Sequence, residues 1–205
     1  MSGPRGVGDP HRAARLAPLV AASGLDARGS GARGTAPEYR FEAERTIQAM
    51  AETLARLHTV EVPAELQGDR SLVADPAELV ERASSGTATP GPAYRHLSRE
   101  RLLQILLEGV PSPLPPGELV LSHGHPSFEL LRFDGVAAIG FEDWSGLALA
   151  DPHQDLASVA RDLVASFGPA PIHAFFEHYG AALAQPLRPD PVRLDWYLLA
   201  HELGS

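Results

Sequence analysis

An α+β domain that is mostly α is the fold class this sequence predicts. Three observations predict it: apolar residues recur at helical spacing in several segments bracketed by capping signals, one Asp-Gly turn sits between two short apolar runs, and no internal repeat is present. Taken in order, Ile47, Met50, Ala51, Leu54 and Leu57 line one face of an amphipathic helix that should end near His58. Asp75 before Pro76, with Glu78 after them, predicts an N-cap with proline in the first turn and a short helix to about Arg82. Ala83 to Pro92 is rich in Ser, Thr, Gly and Pro and predicts a surface loop. Ser98 then caps a helix carrying Leu102, Leu103, Ile105 and Leu106, which Gly109 and the prolines through Pro116 stop.

Glu118 to Ser122 has a strand-like apolar run, and Leu130 to Phe133, the turn Asp134-Gly135 and Val136 to Phe141 predict a β-hairpin. Asp151, Pro152 and Gln154 mark another helix start, and the stripe Leu156, Val159, Ala160, Leu163, Val164 and Phe167 ends at Gly168. Two further helices carry Ile172, Phe175, Phe176 and Tyr179, then Leu194, Tyr197 and Leu198, the second opened by Asp190-Pro191. Residues 1–36, rich in Gly, Ala and Arg, show only Leu16, Leu19 and Val20 as an apolar cluster and predict a flexible leader with one short helix. Residues 37–205 are expected to form the folded domain.

The 205 residues have 44% apolar content, ordinary for a globular protein. No apolar run approaches membrane-span length and the N-terminus lacks a signal-peptide layout, so a cytoplasmic protein without a membrane partner is expected. Cysteine is absent, which excludes disulfides, thiolate catalysis and Cys-ligated zinc. A net charge of -9 argues against a nucleic-acid partner. The 17 basic residues are all arginine. A GC-rich coding bias explains most of that, but no lysine is available to grip nucleotide phosphates.

Chemistry-bearing residues concentrate between Leu119 and Asp155. A strand delivers His123-Gly124-His125, the hairpin follows, and Phe141-Glu142-Asp143-Trp144 leads to Asp151-Pro152-His153-Gln154-Asp155-Leu156-Ala157. Loops at the ends of one rigid hairpin can place a base for a substrate hydroxyl beside carboxylates that hold a cation on phosphates.

This order of landmarks resembles the aminoglycoside phosphotransferase family, related to choline kinases and protein kinases. The resemblance rests on His123 and Gly124, the turn Asp134-Gly135, Asp143 with Trp144, and Asp151, Asp155, Leu156 and Ala157, with Leu54 to His58 resembling the end of the first C-lobe helix. It spans about residues 41 to 203 and implies a protein-kinase-like C-lobe, a helical bundle with a small β-hairpin. In the family a β-sheet lobe bearing a lysine precedes it, whereas here only a loosely patterned leader does, so the N-lobe is expected to be absent.

Two positions depart from the family. His125 stands where the resemblance implies the catalytic Asp, and Leu130 where it implies a metal-binding Asn. Imidazole can take a proton near neutral pH, but Leu130 cannot bind Mg²⁺, which leaves Asp143 with Glu142 as the metal candidates. His123, Gly124 and Asp155 are expected to shape the loop, Asp155 tying its backbone to the following helix. His123 and His125 could also join Asp143 or Glu142 in a zinc-like set. Simpler roles are a core position for Trp144, a helix cap for Asp151, and ordinary surface or core positions for His173, His178 and His201.

The function expected is therefore that of a degenerate pseudokinase, with no certain cofactor and with Mg²⁺ and ATP used only if activity is retained. It would bind a small hydroxylated or amino-sugar-like molecule in an acidic cleft, or associate with itself or a separately encoded N-lobe. Two rivals stand beside it. One is an active aminoglycoside-type phosphotransferase whose N-lobe is supplied elsewhere. The other is a nucleotide-independent enzyme using His125 with Glu142 or Asp143.

Overall fold

Proline placement and Asx caps set the helix starts. The computed structural model describes residues 9–26, 31–36, 39, 42–87, 89–183 and 189–204. Asp9, Asp75, Asp151 and Asp190 each precede a proline and accept a hydrogen bond from the amide two residues on. They open α1 (Pro10–Ala22), α4 (Pro76–Ser85), α6 (Pro152–Phe167) and α8 (Pro191–Leu203). The other α-helices among the described residues are α2 (Ala43–His58), the single turn α3 (Ala64–Gln67), α5 (Arg99–Glu108), capped by Ser98, and α7 (Ile172–Ala182).

Two small antiparallel sheets complete the α+β architecture. β1 (Ala32–Arg33), β3 (Leu131–Asp134) and β4 (Ala137–Phe141) form one, in the order β1-β3-β4, with an irregularity between Arg132 and Phe133. β2 (Val120–Ser122) and β5 (Ala148–Ala150) form the other.

Three apolar clusters hold these pieces. The first joins Ile47, Met50 and Leu54 of α2 to Phe133 and Phe141 of the hairpin, Leu156, Val159 and Leu163 of α6, and Phe175 and Tyr179 of α7. The second packs Leu79 of α4, Leu102 and Leu106 of α5, and Trp196, Tyr197 and Leu203 of α8 around Ala157. The third gathers Leu16 and Val20 of α1 with Leu57, Leu72, Leu121 and Leu149. The loop His123-Gly124-His125 leaves β2 beside Leu121 of the third cluster.

The structure departs from the expected elements in four places. Residues 1–8 and 27–30 lie outside the described residues, but the rest of the expected leader is packed. α1 buries Leu16 and Val20 completely, β1 pairs with β3, and Asp26 bridges Gly140. The short helix expected around Leu16, Leu19 and Val20 is α1, and it is docked through these residues and Ala13 rather than loose. α4 runs three residues into the expected loop, since Ala83 is buried in the second cluster and the Ser84 and Ser85 hydroxyls satisfy carbonyls one turn back. The hairpin turn is Gly135-Val136, because Asp134 pairs with Ala137 and Gly135 takes the positive φ of +57°. β5, the partner of β2, was not foreseen; at three residues it has too little length to show alternation.

Candidate functional site

The site is built on Asp155, fully buried in the first turn of α6. Its Oδ2 accepts from the His123 amide at 2.7 Å and its Oδ1 from the Gly124 amide at 2.8 Å. His58, the last residue of α2, places Nε2 3.2 Å from Asp155 Oδ2 and Nδ1 2.7 Å from the Tyr179 hydroxyl. Burial pushes the Asp155 carboxyl up, but these hydrogen bonds and the facing imidazoles outweigh it and hold the pKa below the ordinary carboxylate value. An ionised Asp155 fixes the His58 tautomer: Nε2–H donates to the carboxylate and Nδ1 accepts from Tyr179. Gln154 adds a bond from Nε2 to the Gly124 carbonyl at 3.2 Å.

His123 points inward. Its ring lies 4.9 Å from that of Phe141, 5.1 Å from Trp144 and 5.3 Å from His125, centroid to centroid. Burial, with His125 beside it, drives its pKa down to about 3, so the ring is neutral near pH 7. Nε2 lies 3.3 Å from the Glu142 carbonyl and carries the proton that donates to it, while Nδ1 is buried without a partner among the described residues.

His125 and Asp143 are brought together at 3.9 Å between Nε2 and Oδ2, both partly exposed. Asp143 holds a left-handed backbone, φ +57°, and caps the 3₁₀ turn Trp144–Gly146 by accepting from the Ser145 amide at 3.2 Å. Burial pushes its carboxyl up, but the bonds from Ser145 and the two imidazoles hold it below the ordinary value. Burial likewise lowers His125, against the pull of Asp143 and Asp155 and with help from Arg82. The pair is thus an ionised carboxylate facing a neutral imidazole.

Glu142 does not join them. Its carboxylate pairs closely with Arg132 and lies 3.7 Å from Arg33. Leu130 packs against the first apolar cluster. Among the described residues no group of three or more His, Asp or Glu could hold a metal ion, so the zinc-like set is not assembled. The reason is geometric: His123 turns toward Phe141 and Trp144, and Glu142 is taken by arginines.

The cleft beside His125 is not the acidic one expected. A cavity of about 360 Å³ between α4, α6, α8 and the loop is lined by Arg82, Arg161, His125, His201, Ser127 and Ser158, with Asp162 as its acidic member. Sequence reasoning also passed over Gly146, the bond from Gln154 to the Gly124 carbonyl and the Arg132–Glu142 pair. Gly146 was legible as the glycine after Trp144-Ser145, but no local signal tied Arg82 and Arg161 to His125, because they lie on helices distant in sequence.

The Phosphotransferase enzyme family model matches residues 3–197. No match was found among curated proteins. Solved structures share the fold. Aminoglycoside phosphotransferase APH(3'')-Id from Streptomyces rimosus ATCC10970 superposes with a TM-score of 0.65 at 22% identity, over 86% of this chain and 67% of that one. An aminoglycoside-3'-phosphotransferase of type VIII gives 0.64 at 23% identity over 85% and 66%, and a choline/ethanolamine kinase family protein from Mesorhizobium loti 0.58 at 21% over 95% and 69%. The chain spans about two thirds of the length of each of these proteins. Among the described residues no helix is long and apolar enough to cross a membrane. Because the family's model matches residues 3–197, nearly all of the 205, this chain belongs to the phosphotransferase enzyme family.

Proposed function

We propose that this chain is a degenerate member of its family, a kinase-like C-terminal lobe in which a ligand-binding cleft remains and phosphoryl transfer is lost. One observation carries the reading: at the end of β2 a neutral His125 faces Asp143, while Leu130 is committed to the apolar core. Mg²⁺ demands a near-octahedral set of oxygens and usually takes one or two carboxylates beside substrate phosphates. Here, among the described residues, Asp143 faces His125, Asp155 is buried and committed to the His123 and Gly124 amides, Glu142 is neutralised by Arg132 and Arg33, and the sequence has no lysine to meet the phosphates. These residues do not fit a magnesium–nucleotide site.

The scaffold that such a site would need is nonetheless kept. Asp155 holds the loop backbone, and His58 and Tyr179 hold Asp155. A retained frame around altered chemistry supports binding rather than decay. Association with a second copy or with a separately encoded nucleotide lobe belongs to the same reading, and the mass of the purified chain in solution checks it.

The His125–Asp143 pair favours a second reading, nucleotide-independent proton transfer on a small metabolite, with the imidazole oriented by the carboxylate. It needs no ATP, so one experiment addresses both. The purified chain is incubated with γ-labelled ATP, Mg²⁺ and either streptomycin, the compound bound with ADP in a solved relative of this fold, or choline. A thermal melt with ATP and Mg²⁺ runs alongside. No labelled product and no upward shift are expected; labelled product would refute both readings and establish an active phosphotransferase.

A further inference from the structure

We infer that the cavity beside His125 is a site for a small anionic molecule, a phosphate- or carboxylate-bearing compound of about monosaccharide size. The inference rests on the proposal that the cleft binds a ligand, and it names the class. Four features of the cavity carry it.

First, the walls carry two guanidinium groups from different helices, Arg82 of α4 and Arg161 of α6. Arg82 has no hydrogen bond or ion pair to its guanidinium among the described residues. Arg161 spends its Nε on Glu202 at 3.0 Å, which leaves its terminal N–H groups without a partner among the described residues. A guanidinium presents paired donors that match the two oxygens of a carboxylate or phosphate.

Second, the acidic member of the lining is already engaged. Asp162 Oδ2 accepts from the Phe128 amide at 2.6 Å, and burial pushes its pKa up, which weakens it as a partner for a cation. A second, narrower cavity shares Arg82 and His125 with it and has two carboxylates in its lining, Glu78, paired with Arg12 at 2.9 Å, and Asp75, which accepts from the Ala77 amide as the cap of α4. A polyamine-like sugar would find few free carboxylates here and would face two arginines.

Third, the field of the arginines reaches the far wall. Burial is the main cause of the lowered protonation of His201, and Arg161 and Arg82 lower it further, so the α8 wall is positive although the chain carries a net charge of -9; at His125 the pull of Asp143 and Asp155 outweighs Arg82. Fourth, Ser127 lines the space with a hydroxyl that accepts from the Leu130 amide at 3.3 Å and keeps its proton to donate, whereas Ser158 spends its own on the Pro126 carbonyl at 3.1 Å, and a volume of about 360 Å³ falls in the range that holds a small ligand.

Titration calorimetry of the full chain with inorganic phosphate, glucose 6-phosphate, glucuronate, glucose and streptomycin tests the inference. Glucose 6-phosphate, glucuronate or both are expected to bind below millimolar concentration, and glucose and streptomycin to bind at least tenfold more weakly. Binding of the phosphate sugar alone assigns a phosphate ligand, and of glucuronate alone a carboxylate. Arg82→Gln is expected to weaken binding at least tenfold. Arg161→Gln should do the same, while Arg161→Lys, which keeps the pairing with Glu202, guards against a folding artefact, as do circular dichroism melts of all three.

Streptomycin binding in preference to the anions would overturn the inference, as would undiminished anion binding in folded Arg82→Gln and Arg161→Gln. So would a response to inorganic phosphate alone at tens of millimolar, an adventitious ion only. These outcomes leave the question of ATP-dependent transfer untouched, and a labelled product in that separate assay would not move them.

Discussion

Gly124 and Gly146 are in backbone contact across the site. A Cβ on Gly124 would lie 2.7 Å from the Gly146 carbonyl oxygen, and one on Gly146 would lie 2.6 Å from the His123 carbonyl oxygen. This crossing fixes the strand end that carries His125 against the turn that carries Asp143. Gly146→Ala must push the two backbones apart, and destabilisation of about 2 kcal/mol is expected. Urea unfolding measures that cost. The NMR titration of His125 reads the geometry, since its pKa should fall further as Asp143 moves away.

Asp155→Asn tests the frame one layer deeper. The substitution keeps the volume but replaces an ionised oxygen pair, which accepts from the His123 and Gly124 amides and from His58, with one oxygen and one donor. At least one buried amide then faces another donor. A loss of about 3 kcal/mol is expected, in the range for breaking one side of a buried charged network. A loss under 1 kcal/mol in denaturant titration would show that the loop does not depend on this carboxylate.

Much of this frame was legible beforehand. Asp-Pro pairs announced α4, α6 and α8 because a cap and a proline act locally, and the stripe of α6 reads directly as a buried face. Asp143 and His125 could be set side by side because they flank one hairpin. What escaped depends on contacts between distant segments. Arg132 drew Glu142 out of the metal candidates, β5 became a strand only against β2, and α4 and α6 turned an expected acidic cleft into one lined by arginines.

Acid should unfold the chain earlier than its carboxylates alone would dictate. His123 and His201 are buried and held neutral, with pKa values down to about 3 and about 4. In the unfolded chain each regains an ordinary value of about 6.5. Because the folded pKa is the lower one, the unfolded state binds more protons below pH 6.5, and stability falls as pH drops from there toward the folded values. Between pH 7.5 and 5.5 the loss is about 1.4 kcal/mol per histidine, or about 3 kcal/mol for the pair. Urea midpoints at the two pH values measure it. His201→Gln should remove about half the difference, whereas the same pH dependence in that variant would rule out its part.

The docking of α1 can be weighed by one truncation. Leu16 is fully buried against the third cluster, and Arg12 and Arg15 on the same helix pair with Glu78 at 2.9 Å and Asp69 at 2.6 Å. The two ion pairs are partly exposed and screened, so apolar burial must supply most of the attachment. Leu16→Ala should therefore cost about 3 kcal/mol, whereas Arg15→Gln should cost about 0.5 kcal/mol. The measurement that separates a docked helix from a loose leader is hydrogen exchange. If α1 is integral, its central amides exchange with protection near that of α2 in the wild type, and Leu16→Ala brings them down ahead of α2. Fast exchange of those amides in the wild-type chain would detach α1 from the fold and leave Leu57, Leu121 and Leu149 with an uncovered face.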